Sequence, residues 1–534
     1  MGLRAAVGLS AAVLLACGGG GSTPEPSPAA PVCTLGAPVP VDGPAWTGFG
    51  GNAQHTAIAG AATLDLGCIA WQAPVDVAPQ LSPSGALLAH YGSPLITRAD
   101  TVLMPVKTGA SGSDIRFRVE ARSGHDGTLK WTLDSDYVLP AHRWVPSFNP
   151  VLAAGNTPGA PMRVLMPASG GRLIVRHDPD AAVAASDRQV FYGQAAYDAA
   201  PAAFDASVFI ATPLVADTRG HVYFGFSVTS PNPLGLVGGF ARVAPDGSAV
   251  WISAAAASGD AALVKPQTNS APALSADERT LYVVVNNVVA SPARPRGSLL
   301  ALDADTLTPI AQRPLLDPAT GTDAWVSDDS TASPTIGPDG GVYLGVLESA
   351  AANHHFRGWL LHFDATLGQT RTPGSFGWDD TASVVPRAMV PQYTGASSYL
   401  LLTKYNNYGG NAGGDGRNRV AILDPQATQP DPINPAVTVM REVITQLGPT
   451  ADPEVPPYGV KEWCINTAAV DPATASVLIN SEDGMLYRWH LPSNRFTQRI
   501  ALNAGRLQSY TPTVVSPSGR VYAVNNAQLH SIGR

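Results

Sequence analysis

The sequence is poor in charge and in cysteine. Of its 534 residues only 14% are charged, and no run of basic residues occurs, so we expect no nucleic-acid partner. The four cysteines, at positions 17, 33, 68 and 464, have the wrong spacing for a zinc site. Glycine and proline are abundant instead, with 53 and 48 residues, which favours many short strands joined by turns over long helices.

Motifs for common catalytic chemistries are also missing. The chain contains no Gly-x-Ser-x-Gly sequence, no paired Cys and His, and no phosphate-binding loop followed by a helix. His354 and His355 are adjacent, but neighbouring residues of an extended chain point in opposite directions and would share an ion only if the chain bent. We therefore predict no metal site. Whether the protein is an enzyme stays open, with a non-catalytic role favoured.

The N-terminus has the pattern of an export signal. Arg4 lies in a short basic segment, and the apolar run that follows, from Ala5 to Ala16, is too short to span a bilayer stably. The sequence Leu14-Leu15-Ala16-Cys17-Gly18 resembles the bacterial lipobox, which implies cleavage before Cys17 and lipidation of that cysteine. We expect residues 1–16 to be a lipoprotein signal peptide, with an ordinary secretory leader as the alternative.

The segment after the predicted cleavage site is rich in Gly and Pro. Residues 17–45 should form a lipidated cysteine and a flexible tether. Gly18 is typical of outer-membrane sorting, so the expected location is the cell envelope, with the protein anchored in the membrane and facing the periplasm or the cell surface. An exported protein can form a disulfide, and both Cys33–Cys68 and Cys68–Cys464 are open pairings.

From residue 46 onward the sequence repeats. The clearest unit is 212–252, where four short β-rich runs are separated by the turns Asp217-Thr218-Arg219-Gly220 and Pro245-Asp246-Gly247-Ser248 and by a longer stretch between the second and third runs. A proline-containing strand opens this unit and recurs along the chain. Counting the weaker members at positions 386 and 468, the openings lie at positions 94, 150, 213, 272, 334, 386, 468 and 512, which gives eight repeats.

The repeat resembles that of the PQQ-like, or quinoprotein-type, β-propeller family. Its shared pattern is Pro-apolar, then Asp-Gly-x-Val-Tyr, Ala-x-Asp and Gly-x-x-x-Trp, over roughly residues 46–534. The resemblance implies an all-β fold: an eight-bladed propeller of four-stranded antiparallel blades, and a monomer. Seven blades with an irregular unit at 386–467, or a pair of β-sandwiches, are the alternatives.

The ends of the chain predict how the ring closes. The last repeat, Tyr510 to Ile532, has room for only three strands before the chain stops at Arg534. Near the N-terminus, Cys68-Ile69-Ala70-Trp71-Gln72 is a lone strand that carries the tryptophan of a fourth strand. Pairing these two segments would complete the last blade and remove its open edge.

The loops that precede each opening proline should meet at one mouth of the central channel. In each loop we consider the residue six positions before the proline and the residue just before that one. In six of the repeats, at least one of these two residues is charged or aromatic. The candidate channel-mouth binding residues are Arg143, Trp144, Asp328, Asp379, Asp380, Lys461, Glu462 and Arg506. Their convergence favours a polar pocket, whereas ion pairs between neighbouring blades, solvated charges and turn-forming aspartates are the structural alternatives.

The resemblance does not extend to the cofactor residues of quinoprotein dehydrogenases. Those enzymes typically carry a vicinal cysteine pair, a tryptophan beneath the quinone and a Glu/Asn/Asp calcium set. No two cysteines are adjacent here, and no stretch matches the calcium set. We therefore predict no cofactor, and PQQ with Ca²⁺ is kept as an alternative.

Two functions remain from the sequence. The first is a lipid-anchored binding or scaffold module at the cell envelope, with a membrane contact through Cys17 and a protein or glycan partner. The second is an enzyme, either a divergent quinoprotein oxidoreductase or a hydrolase or lyase that uses the charged residues at the channel mouth. The placement of those residues in the fold distinguishes the two.

Overall fold

The repeat at 212–252 folds as one blade of a propeller. Its apolar runs become strands because alternate side chains can be buried against the neighbouring blades. Gly220 and Gly247 both have a φ of +86°, the conformation that these tight turns require. The computed structural model describes residues 30–82, 87–110, 114–140, 142, 144–157, 159–287, 295–350, 353–502 and 510–534.

Eight such blades form the ring, which confirms the predicted fold and excludes the seven-bladed and sandwich alternatives. The blades are numbered here along the chain, and their strands are given from the channel outward. The strands of blade 1 are Leu95–Ile96, Thr101–Thr108, Arg116–Ser123 and Leu129–Ser135; those of blade 2 are Val151–Ala153, Arg163–Pro167, Leu173–His177 and Ser186–Gln189. In blades 3 and 4 the inner strand is split in two. The strands of blade 3 are Val208–Ile210 with Val215–Ala216, Val222–Val228, Gly239–Val243 and Ala249–Ser253. Those of blade 4 are Lys265–Pro266 with Ala273–Leu274, Thr280–Asn286, Gly297–Asp303 and Pro309–Pro314.

The second half of the ring repeats this arrangement. Blade 5 contains Thr335–Ile336, Val342–Val346, Trp359–Phe363 and Thr370–Gly374; blade 6 contains Ser383–Pro386, Tyr399–Tyr405, Arg419–Pro430 and Thr438–Leu447. Blade 7 contains Ala469–Asp471, Ser476–Asn480, Met485–His490 and Arg495–Ala501; blade 8 contains Val514–Val515, Val521–Asn525, Gln528–Ile532 and, from the N-terminal part of the chain, Ile69–Pro74.

The ring closes as the sequence predicts. Ile69–Pro74 pairs antiparallel with Gln528–Ile532 and becomes the outer strand of blade 8. Trp71 is buried at this joint, where its indole Nε1 donates to the carbonyl of Gly124, 3.1 Å away, and its ring lies 5.7 Å from that of Tyr522. The first and last parts of the chain are thereby locked into one blade.

The helices of the described residues are short, and the α-helices lie between blades. The α-helices are Gln194–Ala199, Pro201–Asp205 and Ala254–Ser258, and the 3₁₀ turns are Ser169–Gly171, Arg387–Met389 and Gly410–Ala412. None of the helices in the described ranges is long and apolar enough to cross a membrane.

The two faces of the ring differ. On one face, which we call the turn face, the inner strand of each blade leads into its second strand, mostly through a tight turn such as Asp217–Gly220 or Ser516–Gly519. On the opposite face, the mouth face, the chain enters each inner strand and carries longer loops, among them residues 406–418 and 448–468.

A segment that precedes the blades closes the channel at the turn face. This segment, residues 43–66, is called the strap. Its backbone forms hydrogen bonds with the inner strands of blades 1, 2, 4, 5, 6 and 7 and with the turn of blade 8. Examples are the bonds between Trp46 and Ile96 in blade 1 and those of Ala57 and Ala59 with Val470 in blade 7. Phe49 and Ala53 pack in one cluster with Val215 of blade 3. The strap therefore touches all eight blades.

His55 lies at the centre of the strap and is fully buried. Its Nδ1 donates to the carbonyl of Pro334, 2.7 Å away, and its ring packs edge-on against Phe49. Burial lowers the pKa of His55 from 6.5 to about 4, so the ring is neutral at pH 7.

A disulfide resolves the pairing that the sequence left open. Cys33 binds Cys68, and the loop between them contains the whole strap. Cys464 is buried and is not in a disulfide.

Candidate functional site

The loops that enter the inner strands meet around the channel at the mouth face. There they form a belt of hydrogen bonds between polar residues before or within the inner strands, and all but the Asn149–Ser147 bond join different blades. The bonds of this belt are Ser93 N to Asn149 Oδ1 (2.6 Å), Asn149 Nδ2 to Ser147 Oγ (2.7 Å), Ser147 N to Asn269 Oδ1 (2.8 Å), Asn269 Nδ2 to Asp328 O (3.2 Å), Thr331 N to Asp379 Oδ1 (2.7 Å), Asn466 Nδ2 to Thr331 Oγ1 (2.6 Å), Thr513 N to Thr467 O (3.3 Å) and Thr511 Oγ1 to Tyr91 O (3.4 Å).

The adjacent aspartates of blade 6 have different roles in this belt. Asp379 accepts hydrogen bonds from the backbone and the hydroxyl of Thr331, so it joins blades 5 and 6. Asp380 is buried against the channel wall. Burial raises the pKa of Asp380 well above its usual range, although the charge and backbone amide of Lys404 act in the opposite direction.

Two residues that the sequence did not single out lie in the same place. Lys404, near the end of the second strand of blade 6, is fully buried, with Nζ 5.9 Å from the ring of Phe376. His90, before the inner strand of blade 1, is also buried. Burial lowers the pKa of His90, while the charges of blade 6 act on it in opposite directions: Asp379 raises the pKa and Lys404 lowers it.

Three rings form an aromatic wall beside these groups. Trp144 stacks on His90 with ring centroids 5.3 Å apart and an interplanar angle of 20°. Tyr510 contacts both rings edge-on, at 5.6 Å from His90 and 6.0 Å from Trp144. Trp144 is only half-buried, so this wall is accessible from the mouth face.

Five buried polar atoms of the mouth have no hydrogen-bond partner within the part of the chain that the structure describes. They come from five different blades, at or just before the inner strands. These atoms are His90 Nδ1, Ser270 Oγ, Asp380 Oδ2, Asn466 Oδ1 and Thr513 Oγ1. Buried polar groups are almost always hydrogen-bonded to protein, water or a ligand, so these five atoms are available around one channel for water or a polar ligand.

The remaining predicted residues are held by partners of their own. Asp328 pairs with Lys265 of the adjacent blade at 2.6 Å and also accepts from the side chain of Asn286. Lys461 pairs with Asp452 of its own loop at 2.9 Å, and although burial opposes it, this contact raises the pKa of Lys461. Both pairs fit the structural alternative, in which the charges stabilise loops and neighbouring blades.

Glu462 belongs to a small group of potential metal ligands. One ligand atom each from Glu462, Cys464 and Glu482 lies within 4.8 Å of the other two, the only such group among the described residues. Cys464 Sγ is 3.6 Å from a carboxylate oxygen of Glu462. Arg143, Arg506 and Cys17 lie outside the described residues.

The residues missed from the sequence share a cause. Lys404 and His90 occupy no fixed place in the repeat pattern, and each acquires its neighbours only when distant blades meet at the channel. The sequence did contain a recurring asparagine at or just after the end of the second strand in four blades: Asn286, Asn406, Asn480 and Asn525. The side chain of each donates a hydrogen bond to a strand or an entry loop of a different blade.

Solved structures with a similar fold include quinoprotein dehydrogenases. A europium-containing methanol dehydrogenase matches with a TM-score of 0.53 at 10% identity, over 90% of this chain and 89% of that one. The quinohemoprotein alcohol dehydrogenase from Comamonas testosteroni matches with a TM-score of 0.51 at 13% identity, over 92% of this chain and 81% of that one. No protein-family model and no curated protein matches the sequence.

These likenesses define the chain as a PQQ-like β-propeller in fold. At such identities they carry nothing about chemistry, because one fold hosts many functions. The site itself has to be tested against the cofactor of these enzymes.

The described residues of the mouth do not fit PQQ. PQQ is a planar tricarboxylate and would need several cationic partners, whereas Lys265 and Lys461 are each paired with an aspartate. A further carboxyl group, that of Asp380, stands beside Lys404. The cysteines form no vicinal pair, since Cys33 binds Cys68 across 35 positions and Cys464 stands elsewhere.

Proposed function

We propose that this protein is a binding module that takes up a polyhydroxylated ligand, a glycan unit, in the mouth of its channel. The observation that carries the proposal is the set of five unsatisfied polar atoms inside the hydrogen-bonded belt. The belt fixes the positions of these atoms, as a binding site requires, since its bonds join residues of different blades.

The protonation states favour a neutral ligand. Burial raises the pKa of Asp380 and lowers that of His90, so it favours the uncharged form of each group. Asn466 Oδ1 accepts hydrogen bonds, whereas the hydroxyls of Ser270 and Thr513 donate and accept. Hydroxyl groups of a sugar would satisfy such a mixed set without bringing a charge into a buried site.

The aromatic wall adds a second feature of glycan sites. The face of a pyranose ring is apolar, and half-buried Trp144 offers a flat apolar surface at the entrance. Because the strap covers the turn face, the ligand would enter from the mouth face, where the loops 406–418 and 448–460 rise beside the channel. Tyr458, 69% exposed on the second loop, is placed to contact a larger partner.

The proposal includes attachment to the cell envelope through a lipid on Cys17, which would hold the propeller near a membrane. The lipobox-like sequence and the Gly/Pro-rich tether support it, and the disulfide is of the kind that exported proteins form. A protein partner at the long loops would make the module a scaffold. Mass spectrometry of the mature N-terminus tests the anchor: a diacylated Cys17 supports it, and an unmodified N-terminus contradicts it.

The experiment on the site is a glycan-array screen of the purified full chain, followed by calorimetric titration of the best ligand. We expect Trp144→Ala and Asn466→Ala to weaken binding at least tenfold, and Trp251→Ala, an exposed tryptophan on an outer strand, to leave it unchanged. A parallel titration with PQQ and Ca²⁺ should give no thermal shift. Failure of every glycan to bind, or equal binding by all three variants, would refute the proposal.

A further inference from the structure

The chain enters the propeller at the turn-face edge of blade 8. The third strand of this blade runs from the mouth face to the turn face and ends at Ile532, which pairs with Ile69. The outer strand, Ile69–Pro74, therefore begins at the turn face. Val32 bridges to Ile69 in parallel, so Ala30, two residues earlier, lies at the same edge, on the side of the ring opposite the mouth.

From this edge the chain crosses blade 8 on the turn face. The amide of Gly43 donates to the carbonyl of Pro517, 3.0 Å away, in the turn that follows the inner strand of the blade. Residues 30–41, which we call the entry segment, thus lead from the outer edge of blade 8 to its inner turn. The entry segment contains no charged residue, and the first one after it is Asp42.

Apolar side chains of the entry segment face the solvent. Val32 is 79% exposed, and Leu35 and Val41 are exposed as well. The side chains of Pro38 and Pro40 between them are also exposed. Exposed apolar side chains that are grouped on a surface are typical of a contact with a partner or a membrane.

The opposite side of the ring carries charge on the same face. Blade 4 lies across the ring from blade 8, and its turns contain Asp277 and Asp305. Arg219, in a turn of blade 3, pairs with Asp305 at 3.0 Å, and all three side chains are exposed. Placing these groups against lipid would cost their hydration, whereas the entry segment carries no charge. The turn face is thus apolar at blade 8 and charged across the ring.

The proposed lipid on Cys17 would be attached to this same apolar edge. Twelve residues separate Cys17 from Ala30, and the length of an extended chain keeps the lipid within roughly 45 Å of that edge. The anchor makes contact between the entry segment and the bilayer intramolecular, so a few apolar side chains suffice as a second membrane signal.

We propose that the entry segment lies on the bilayer surface, so that the turn-face side of blade 8 faces the membrane and the mouth of the channel opens on the far side. This inference rests on the anchor at Cys17 that the proposed function includes. Val32, Leu35 and Val41 enter the lipid interface, while the charged turns of blades 3 and 4 stay in water. The proposed glycan site is then presented away from the membrane that carries the protein.

Fluorescence quenching by lipid tests this orientation on the lipidated full chain. The protein is placed in phosphatidylcholine vesicles that contain a doxyl-labelled lipid, with a fluorophore on Val41→Cys or on Val77→Cys. Val77 is the matched control, because it is an exposed valine that follows the mouth-face end of Ile69–Pro74 in the same blade. The wild type, in which the free thiol of Cys464 is buried, gives the background. We expect the label at position 41 to be quenched at least threefold more strongly than the label at position 77.

A further variant tests whether the apolar side chains make the contact. Val32→Asp/Leu35→Asp, with the label at position 41, should lose at least two thirds of the quenching, because charge is excluded from the lipid interface. Val77→Asp, with the same label, should keep it. Since the contact is apolar, raising the salt concentration to about 0.5 M should leave the quenching unchanged.

Equal quenching at positions 41 and 77, or stronger quenching at 77, overturns the inference and leaves the anchor in place. So does quenching that is unaffected by Val32→Asp/Leu35→Asp or that is lost in salt. Mass spectrometry of the same samples reports the lipid, and an unmodified Cys17 overturns the anchor and this inference together.

Discussion

The backbone amide of Lys404 donates to the carboxyl group of Asp380, and the ammonium group of the same lysine lies close enough to favour the ionised carboxylate. Burial outweighs both effects, so the pKa of Asp380 is raised well above its usual range. The mouth of the channel thus contains a carboxyl group whose neutral form is favoured by burial. Asp328 and Asp452, by contrast, form ion pairs with Lys265 and Lys461.

Replacing Asp380 with asparagine tests that assignment. A carboxyl group with a raised pKa stabilises the fold fully below its unfolded pKa, and this contribution is lost as pH rises towards the folded pKa. Asp380→Asn should therefore become more stable relative to the wild type as pH increases above about 4, by up to about 1.4 kcal/mol per pH unit. Urea unfolding between pH 4 and 8 measures the difference. A constant difference across that range would show that Asp380 is ionised throughout.

The strap should make stability depend on pH in the opposite direction. The pKa of His55 falls to about 4 on burial, so its contribution is present above its unfolded pKa of 6.5 and is lost as pH falls towards 4. Asparagine suits the positive φ of +58° at this position, so we choose the variant His55→Asn. Its free energy of unfolding should fall less steeply between pH 6.5 and 4 than that of the wild type, by the slope that corresponds to the uptake of one proton. Parallel curves for the variant and the wild type would exclude His55 as the titrating group.

Ring closure predicts a contrast between two tryptophans of outer strands. Trp71 is buried at the joint with Tyr522, whereas Trp251 in blade 3 is 43% exposed. Trp71→Ala should lower the free energy of unfolding by about 3–5 kcal/mol, and Trp251→Ala by under about 1 kcal/mol. Denaturant unfolding of both variants gives the comparison. Similar losses at the two positions would mean that the joint does not hold the ring.

The disulfide should act through the strap. Because Cys33 and Cys68 are separated by 35 positions, the chain-entropy model gives a stabilisation of about 4 kcal/mol. Cys33→Ser/Cys68→Ser should lower the unfolding midpoint and speed amide exchange within residues 43–66, while exchange in blades 3 to 5 stays slow. Uniform acceleration across the ring would show that the disulfide supports the whole fold and not the strap.

The sequence was sufficient for the ring because each blade repeats its own signals. The opening prolines, the glycine turns and the leftover strand at Ile69 are local patterns, and they predicted eight blades and their closure. The strap could not be predicted in this way. Its bonds join backbone groups such as those of Ala57 and Val470, which are far apart in sequence and leave no side-chain pattern.

The candidate site was predictable only in part. The rule of six residues before each proline found Trp144 and Asp380, which lie at the mouth, but it also selected Asp328 and Lys461, which are occupied by ion pairs. Charge in a sequence does not show whether a partner is near. Which groups are buried without a partner depends on how eight blades pack, and no single repeat contains that information.

We propose that the mouth of the channel holds the ligand. Hydrogen exchange of the full chain, with and without the best-binding glycan, measures where the ligand lies. We expect protection confined to the entry loops, at residues 88–93, 144–149, 379–382 and 464–467. Protection at the turn face or on the outer strands, with these loops unchanged, would contradict it.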